Sequence, residues 1–254
     1  TLDKVAETTG LSQELLRRTS AAIVASHARA PLRDGVDFAK ALGRIVRENG
    51  KSLAETPGLF AEHRVEDLTR RSEAALRSVA SALDARERQG RVRRCHGDLH
   101  LRNIVVLGEE PTLFDAIEFD EDLATTDVLY DLAFLLMDLG ERGLDAEANL
   151  ILNRYLAEDR APNQIAGLAA MQLFISVRAA IRAKVTAAAL ENADDGARAG
   201  IEKDALRYFD FAEAVLIPTQ PRLVGVGGLS GTGKSTLASR LAAAMKPFPG
   251  AVHL

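Results

Sequence analysis

Apolar residues recur at helical spacing from Ser12 to Arg29, where Leu15, Leu16, Ile23 and Val24 form one stripe. Ser12 is placed to cap the start, and Pro31 stands just beyond the end. A second helical pattern runs from Asp37 to Glu48. A third, from about Val65 to Arg88, carries Arg and Glu on a side that reads as a solvated face. The texture then changes. Val92–Cys95, Ile104–Leu107 and Thr112–Phe114 are short apolar runs that predict short strands, the last two separated by Gly-Glu-Glu-Pro at 108–111. Beyond Asp127 a stripe of Val128, Leu132, Leu135, Leu136 and Leu139 restores the helical period, and further helical segments are expected at 145–157, 163–192 and 197–215.

Ile217-Pro218-Thr219-Gln220-Pro221 interrupts this pattern, and Leu223–Val226 follows as a strand-like run with a helical stretch from Thr236 to Met245. The organisation expected is therefore a body over 1–216, a linker over 217–221 and the start of a second domain over 222–254. The fold class is α+β, mostly helical with a few short strands.

Composition narrows the function. With 254 residues, 47% hydrophobic and 27% charged, the chain is long enough for one large domain or two small ones. A formal net charge of -4 argues against nucleic acid as a partner, because binders of the phosphate backbone present a basic face or tail. One cysteine, Cys95, forms no intramolecular disulfide and reads as a small packed residue at a strand end; a cytoplasmic location is the expectation. Uninterrupted apolar runs such as Ala187–Leu190 and Leu241–Met245 are far shorter than the roughly 20 residues that span a bilayer, so no membrane partner is expected. The start at Thr1, without Met or a signal pattern, suggests a piece of a longer chain.

The chemistry concentrates first in His96-Gly97-Asp98-Leu99-His100-Leu101-Arg102-Asn103, a polar loop between two predicted strands. In kinase-type phosphoryl transfer an Asp orients the acceptor hydroxyl and takes its proton, while an Asn a short loop away helps hold a metal ion on the nucleotide phosphates. Asp98 and Asn103 have that spacing. Magnesium prefers hard oxygen ligands, and Asp115, at the end of an apolar strand, can supply a second one. Glu118, three residues on, could touch metal or acceptor, although the acidic run Glu118, Asp120, Glu121, Asp122 also reads as a solvated loop.

In the order and spacing of His-Gly-Asp, Asn, and Asp after a strand, the sequence resembles the aminoglycoside phosphotransferase (choline kinase-like) family. The resemblance implies a protein-kinase-like C-lobe over 1–216, ATP and Mg2+ as cofactors, Asp98 as catalytic base, and Asn103 and Asp115 as magnesium ligands. It implies further that His96 organises the catalytic loop and that Asp131, in Tyr130-Asp131-Leu132-Ala133, braces it from a helix. His100 has a weaker claim on substrate or metal. Residues 1–91 show neither the glycine-rich strand turn nor the strand Lys of a nucleotide-clamping lobe, so the piece is expected to begin after that lobe and to bind ATP poorly at this site by itself.

A second motif, Gly228-Leu229-Ser230-Gly231-Thr232-Gly233-Lys234-Ser235, satisfies the Walker A pattern. Backbone N–H groups of Gly228, Ser230, Gly231, Thr232 and Gly233, together with the start of the helix at Thr236, would surround phosphate oxygens; Lys234 adds a point charge and the Ser235 hydroxyl can ligate magnesium. Only nineteen residues follow Ser235, so a P-loop domain would be cut here.

The function expected is transfer of the ATP γ-phosphoryl group to a hydroxyl of a small molecule, with a second ATP site in the P-loop. The alternative assigns the chemistry to the P-loop and makes the kinase-like part a ligand-sensing module. The acidic loop near Asp115 would suit a cationic acceptor. Arg178 and Arg182, four residues apart on one helix face with Lys184 nearby, would suit an anionic one, although ion pairing with local acids is the simpler reading of these charges.

Overall fold

The computed structural model describes residues 1–33, 35–56, 58–159, 161, 164–220 and 222–253. Among them the chain forms helices α1 (Leu2–Thr8), α2 (Gln13–Arg29), α3 (Phe38–Ala54) and α4 (Glu62–Arg88), then strands β1 (Val92–Arg94), β2 (Ile104–Leu107) and β3 (Glu110–Leu113). A short helix α5 (Glu121–Ala124) and strand β4 (Thr125–Asp127) lead into α6 (Val128–Glu141). Helices α7 (Asp145–Glu158), α8 (Met171–Ala188), α9 (Asp195–Val215) and α10 (Lys234–Ala244) complete the order. Asn163, Pro221 and Leu254, which fall within the expected 163–192 helix, linker and second domain, lie outside the described residues.

Local chemistry sets the helix starts. Ser12 Oγ accepts the Leu15 N–H at 3.2 Å, and Asp37 accepts that of Lys40 at 3.1 Å, so each satisfies a backbone donor that has no partner within its helix. Asp127 does the same for α6, accepting the Leu129 N–H at 2.8 Å.

Helix α6 is the centre of the body. Every residue from Val128 to Gly140 is buried, as its nearly all-round apolar sequence requires. Leu129, Leu132, Leu135, Leu136 and Leu139 are each wholly shielded from solvent, and each such burial contributes about 1.5–3 kcal/mol. Helix α8 packs on α6, α9 and α3, while α7 packs on α2 and α6. Segment Gln164–Asn192 is long and apolar enough to cross a membrane by length and composition, but 67% of its most apolar window is buried inside this fold. The segment is also broken. It opens with a 3-10 stretch at Gln164–Ala170 and closes with another at Ala189–Asn192.

Two antiparallel pairs flank the polar loop at 95–103. Strand β1 pairs with β4, with Val92 opposite Asp127 and Arg94 opposite Thr125. Strands β2 and β3 form a hairpin in which Ile104 faces Leu113 and Leu107 faces Glu110.

One strand was not foreseen and two expectations are corrected. Strand β4 (Thr125-Thr126-Asp127) has no apolar signature, and its pairing with β1 is non-local. Arg86, on the supposedly solvated face of α4, is buried and makes a bidentate pair with Asp127 at 2.7 and 2.8 Å. Leu223–Val226 does not form a strand. An isolated strand leaves its backbone groups unpaired, and no described strand lies beside this segment. Among residues 222–253 the chain forms α10, which packs on α7, and a following stretch that docks where Asn149 Nδ2 donates to Pro249 O at 2.8 Å.

Candidate active site

The loop after β1 is held from three sides. The Cys95 N–H donates to Ala124 O at 2.8 Å, the Ile117 N–H donates to His96 O at 2.9 Å, and the Gly97 N–H donates to Asp131 Oδ1 at 2.8 Å. Gly97 has φ +82°, and a Cβ there would stand 2.9 Å from Ile117 Cδ1, so both backbone and space call for glycine. The turn presents Asp98 half-buried. Asn103 Nδ2 donates to Asp98 O at 2.9 Å and to Asp98 Oδ2 at 3.0 Å, closing the loop on itself across the 3-10 turn Leu101–Asn103.

His100 lies on the other side of the same carboxylate, its Nε2 3.3 Å from Asp98 Oδ2. Because His100 Nδ1 accepts the Arg102 N–H at 3.2 Å, Nε2 carries the hydrogen and presents it to Asp98. Burial pushes the Asp98 carboxyl up, but the His100 hydrogen bond and the positive fields of Arg178 and Arg182 outweigh it and hold the group below the ordinary aspartate range. Asp98 is therefore ionised at neutral pH.

Asp115 is tied to this loop through its neighbour. The Phe114 N–H donates to Asn103 O at 3.1 Å, and Phe114 O accepts from His96 Nε2 at 2.8 Å. Asp115 then sits in the left-handed region at φ +61°, uncommon for a side chain other than glycine but tolerated best by Asp and Asn. Its carboxylate is exposed and has no hydrogen bond or ion pair among the described residues. The Asn103 amide donates through nitrogen, which leaves its carbonyl oxygen free. A free amide oxygen and a free carboxylate, both hard donors joined through Phe114, fit a magnesium ion. Glu118 is exposed on the next turn, with no described partner.

Beneath the loop lies a buried polar layer. Asp131 is fully buried; its Oδ2 is 3.1 Å from His27 Nε2, and His27 Nδ1 is 2.9 Å from Tyr155 Oη. Burial pushes the Asp131 carboxyl up, and the His27 hydrogen bond with the fields of His27, Arg178 and His96 brings it below its ordinary value. Two turns along α6, Asp138 Oδ2 accepts the Leu101 N–H at 2.9 Å and Oδ1 accepts from Arg142 Nε at 3.0 Å. Asp138 and His27 escape a sequence reading. Asp138 sits seven residues after Asp131, on the same α6 face, and that spacing was the available signal; His27, from α2, has none. Donor atoms of His27, Cys95 and Asp131 lie within 4.8 Å of one another. The histidine nitrogens are already engaged, the Cys95 thiol points 3.6 Å from Thr126 O, and burial pushes that thiol well up, so the trio is a packed hydrogen-bonded layer.

The glycine-rich segment lies elsewhere. Gly231 and Gly233 have φ +77° and +79°, Thr232 Oγ1 donates to Leu229 O at 2.8 Å, and Lys234 Nζ donates to the same carbonyl at 2.5 Å. Residues Gly228–Gly233, Ser235 and Thr236 are exposed at the start of α10, with Lys234 half-buried. A cavity of about 420 Å3 lies between Lys234, Ser235 and Ala238 on one side and Leu223–Val226 on the other.

Comparison with known proteins gives the class. A sequence profile of the phosphotransferase enzyme family matches residues 6–173, which takes in the polar loop at 95–103, the β2–β3 hairpin and α6; the chain belongs to this family. Membership implies a protein-kinase-like fold. An uncharacterized protein of Mycobacterium bovis and uncharacterized proteins of two Mycobacterium tuberculosis strains are each 31% identical over 222 residues, covering 85% of this chain. The chain spans 43% of the length of these relatives. No solved structure matches it.

Proposed function

We propose that this chain carries the catalytic centre of an ATP-dependent small-molecule phosphotransferase, with Asp98 as the base. The observation that supports it most is the closed loop in which Asn103 Nδ2 fixes Asp98 Oδ2 at 3.0 Å while Phe114 links that loop to Asp115. The Asp98 carboxylate orients the acceptor hydroxyl and takes its proton as the oxygen bonds to the γ-phosphorus of ATP and the bond to ADP breaks. Asn103 Oδ1 and the Asp115 carboxylate would hold Mg2+, which supplies positive charge for the phosphate oxygens. His96 and Asp131 keep the loop in register; His100 keeps the base ionised. Aminoglycoside remains a family label, since nothing in the site selects an amino sugar.

The exposed glycines and Lys234 at the start of α10 favour a second reading, in which residues 222–254 open a P-loop domain that binds ATP through Gly228–Thr236, with Ser235 on magnesium. On that reading the chemistry belongs to the P-loop and the kinase-like body is a sensor. The test is phosphorus NMR of the protein at its natural full length with MgATP and a panel of hydroxyl compounds. A new phosphoester resonance that vanishes in Asp98→Asn supports the first reading. One that survives Asp98→Asn and vanishes in Lys234→Ala supports the second.

A further inference from the structure

Helix α8 carries two guanidinium groups that no carboxylate pairs among the described residues. Arg178 is only 6% exposed, yet it forms no ion pair among the described residues. Its guanidinium carbon lies 4.0 Å from the Tyr130 ring centroid and 4.8 Å from that of Phe134, and its Nε donates to Tyr130 O at 3.4 Å. Its Nη2 is buried without any partner, and so is the Tyr130 hydroxyl. Arg182, one turn on and half-buried, lies over the Tyr208 ring at 5.6 Å and likewise has no carboxylate partner among the described residues. Ion pairing with local acids, the simpler expectation for these charges, is not what the fold provides. Asp98 and Asp131 feel the field of Arg178 from beyond ion-pair distance, so what the packing leaves unmet is the buried Nη2 donor itself; such a donor is costly to bury, and it is retained where something else satisfies it.

The position of this pair says what it would meet. Phe134, under Arg178, also packs edge-on against His100 at 5.3 Å, and His100 reaches Asp98. The two arginines therefore approach the base from the α6–α8 side. The β2–β3 hairpin, which leads to Asp115, packs instead on α2. Phosphates held by Asn103 and Asp115 lie on the hairpin side of Asp98, so the α8 side is left to the acceptor. Both arginines lie beyond residue 173, outside the stretch that matches the family.

We propose that Arg178 and Arg182 form an anion subsite for the acceptor, which is a small hydroxyl compound bearing a phosphate or carboxylate. Arg182 contacts the anionic group from the surface, while Arg178 and the Tyr130 hydroxyl offer buried donors behind it. This rests on the phosphotransferase reading, deepens it, and sets the chain apart from enzymes of cationic amino sugars.

The experiment compares glucose 6-phosphate, gluconate, glucose and glucosamine by calorimetric titration of the full-length protein carrying Lys234→Ala, which removes phosphate binding at the glycine-rich loop. Glucose 6-phosphate or gluconate should bind about tenfold or more tightly than glucose, and Arg182→Gln should remove that preference. Arg178→Lys, which keeps the charge but not the planar fork, should weaken it by about tenfold. Binding of neither anion, equal or tighter binding of glucosamine, or anion binding unchanged in Arg182→Gln would overturn the subsite. Turnover of the same sugars separates the two ideas. Asp98-dependent phosphorylation of glucosamine or glucose alone keeps the phosphotransferase and removes the subsite; arginine-dependent anion binding with no transfer to any of the four keeps the subsite and removes the phosphotransferase.

Discussion

Asp131 Oδ1 accepts the Gly97 backbone N–H at 2.8 Å, so a fully buried carboxylate on α6 fixes the residue next to Asp98. Its other oxygen faces His27 at 3.1 Å. Asp131→Ala strands both partners in a buried layer and should cost about 3–5 kcal/mol, read as a lower urea midpoint.

The same carboxyl predicts a pH dependence. Its pKa is lowered in the fold, so the native state binds fewer protons than the unfolded chain. The stability it contributes is complete above the ordinary aspartate range and is lost as pH falls through that range toward the lower folded value. In Asp131→Asn this acid-side loss should be shallower than in the wild type. Equal slopes would assign acid sensitivity to other groups.

Arg86 and Asp127 join α4 to the start of α6 through two hydrogen bonds, both residues buried. Arg86→Ala leaves a charge unpaired and should destabilise by about 3–5 kcal/mol. Asp127 also caps α6, so Arg86→Met combined with Asp127→Ser, which keeps a cap, should cost clearly less than the two single changes summed. Simple additivity in denaturant titrations would show that the pair is not coupled.

Gly97→Ala places a side chain at φ +82° and 2.9 Å from Ile117 Cδ1. The backbone strain alone is about 1–2 kcal/mol. Since the shift falls beside Asp98, kcat should drop far more than the thermal midpoint. Adding Ile117→Ala relieves the contact but not the dihedral, and should recover only part of kcat.

His100 helps hold Asp98 below the ordinary aspartate range. Removing it in His100→Ala should raise the Asp98 pKa and move the acid limb of kcat/KM to higher pH. An unmoved or lowered limb would mean that the limb reports a different group.

Much of the fold was legible because its signals are local. Ser12, Asp37 and Asp127 mark helix starts by side chains that reach their own turn, and the α6 leucines announce a buried helix by themselves. Asp98, Asn103 and Asp115 were legible as a pattern of residue types. What supports them was not: His27 and Arg86 act across distances in sequence that no period encodes, and only the seven-residue spacing from Asp131 pointed to Asp138. Strand β4 was hidden because pairing with β1 defines it. Leu223–Val226 shows the converse, an apolar run without strand neighbours that stays irregular. Arg178 and Arg182 were visible as charges, but their lack of an ion-pair partner among the described residues is a property of the packing.

The central claim is that Asp98 performs phosphoryl transfer. Its most direct test is acceptor-stimulated ADP release from MgATP by the full-length protein, comparing wild type, Asp98→Asn and Lys234→Ala. The account predicts that stimulation by a productive acceptor disappears in Asp98→Asn and persists in Lys234→Ala. Stimulation that persists in Asp98→Asn and disappears in Lys234→Ala would contradict it and move the chemistry to the glycine-rich loop.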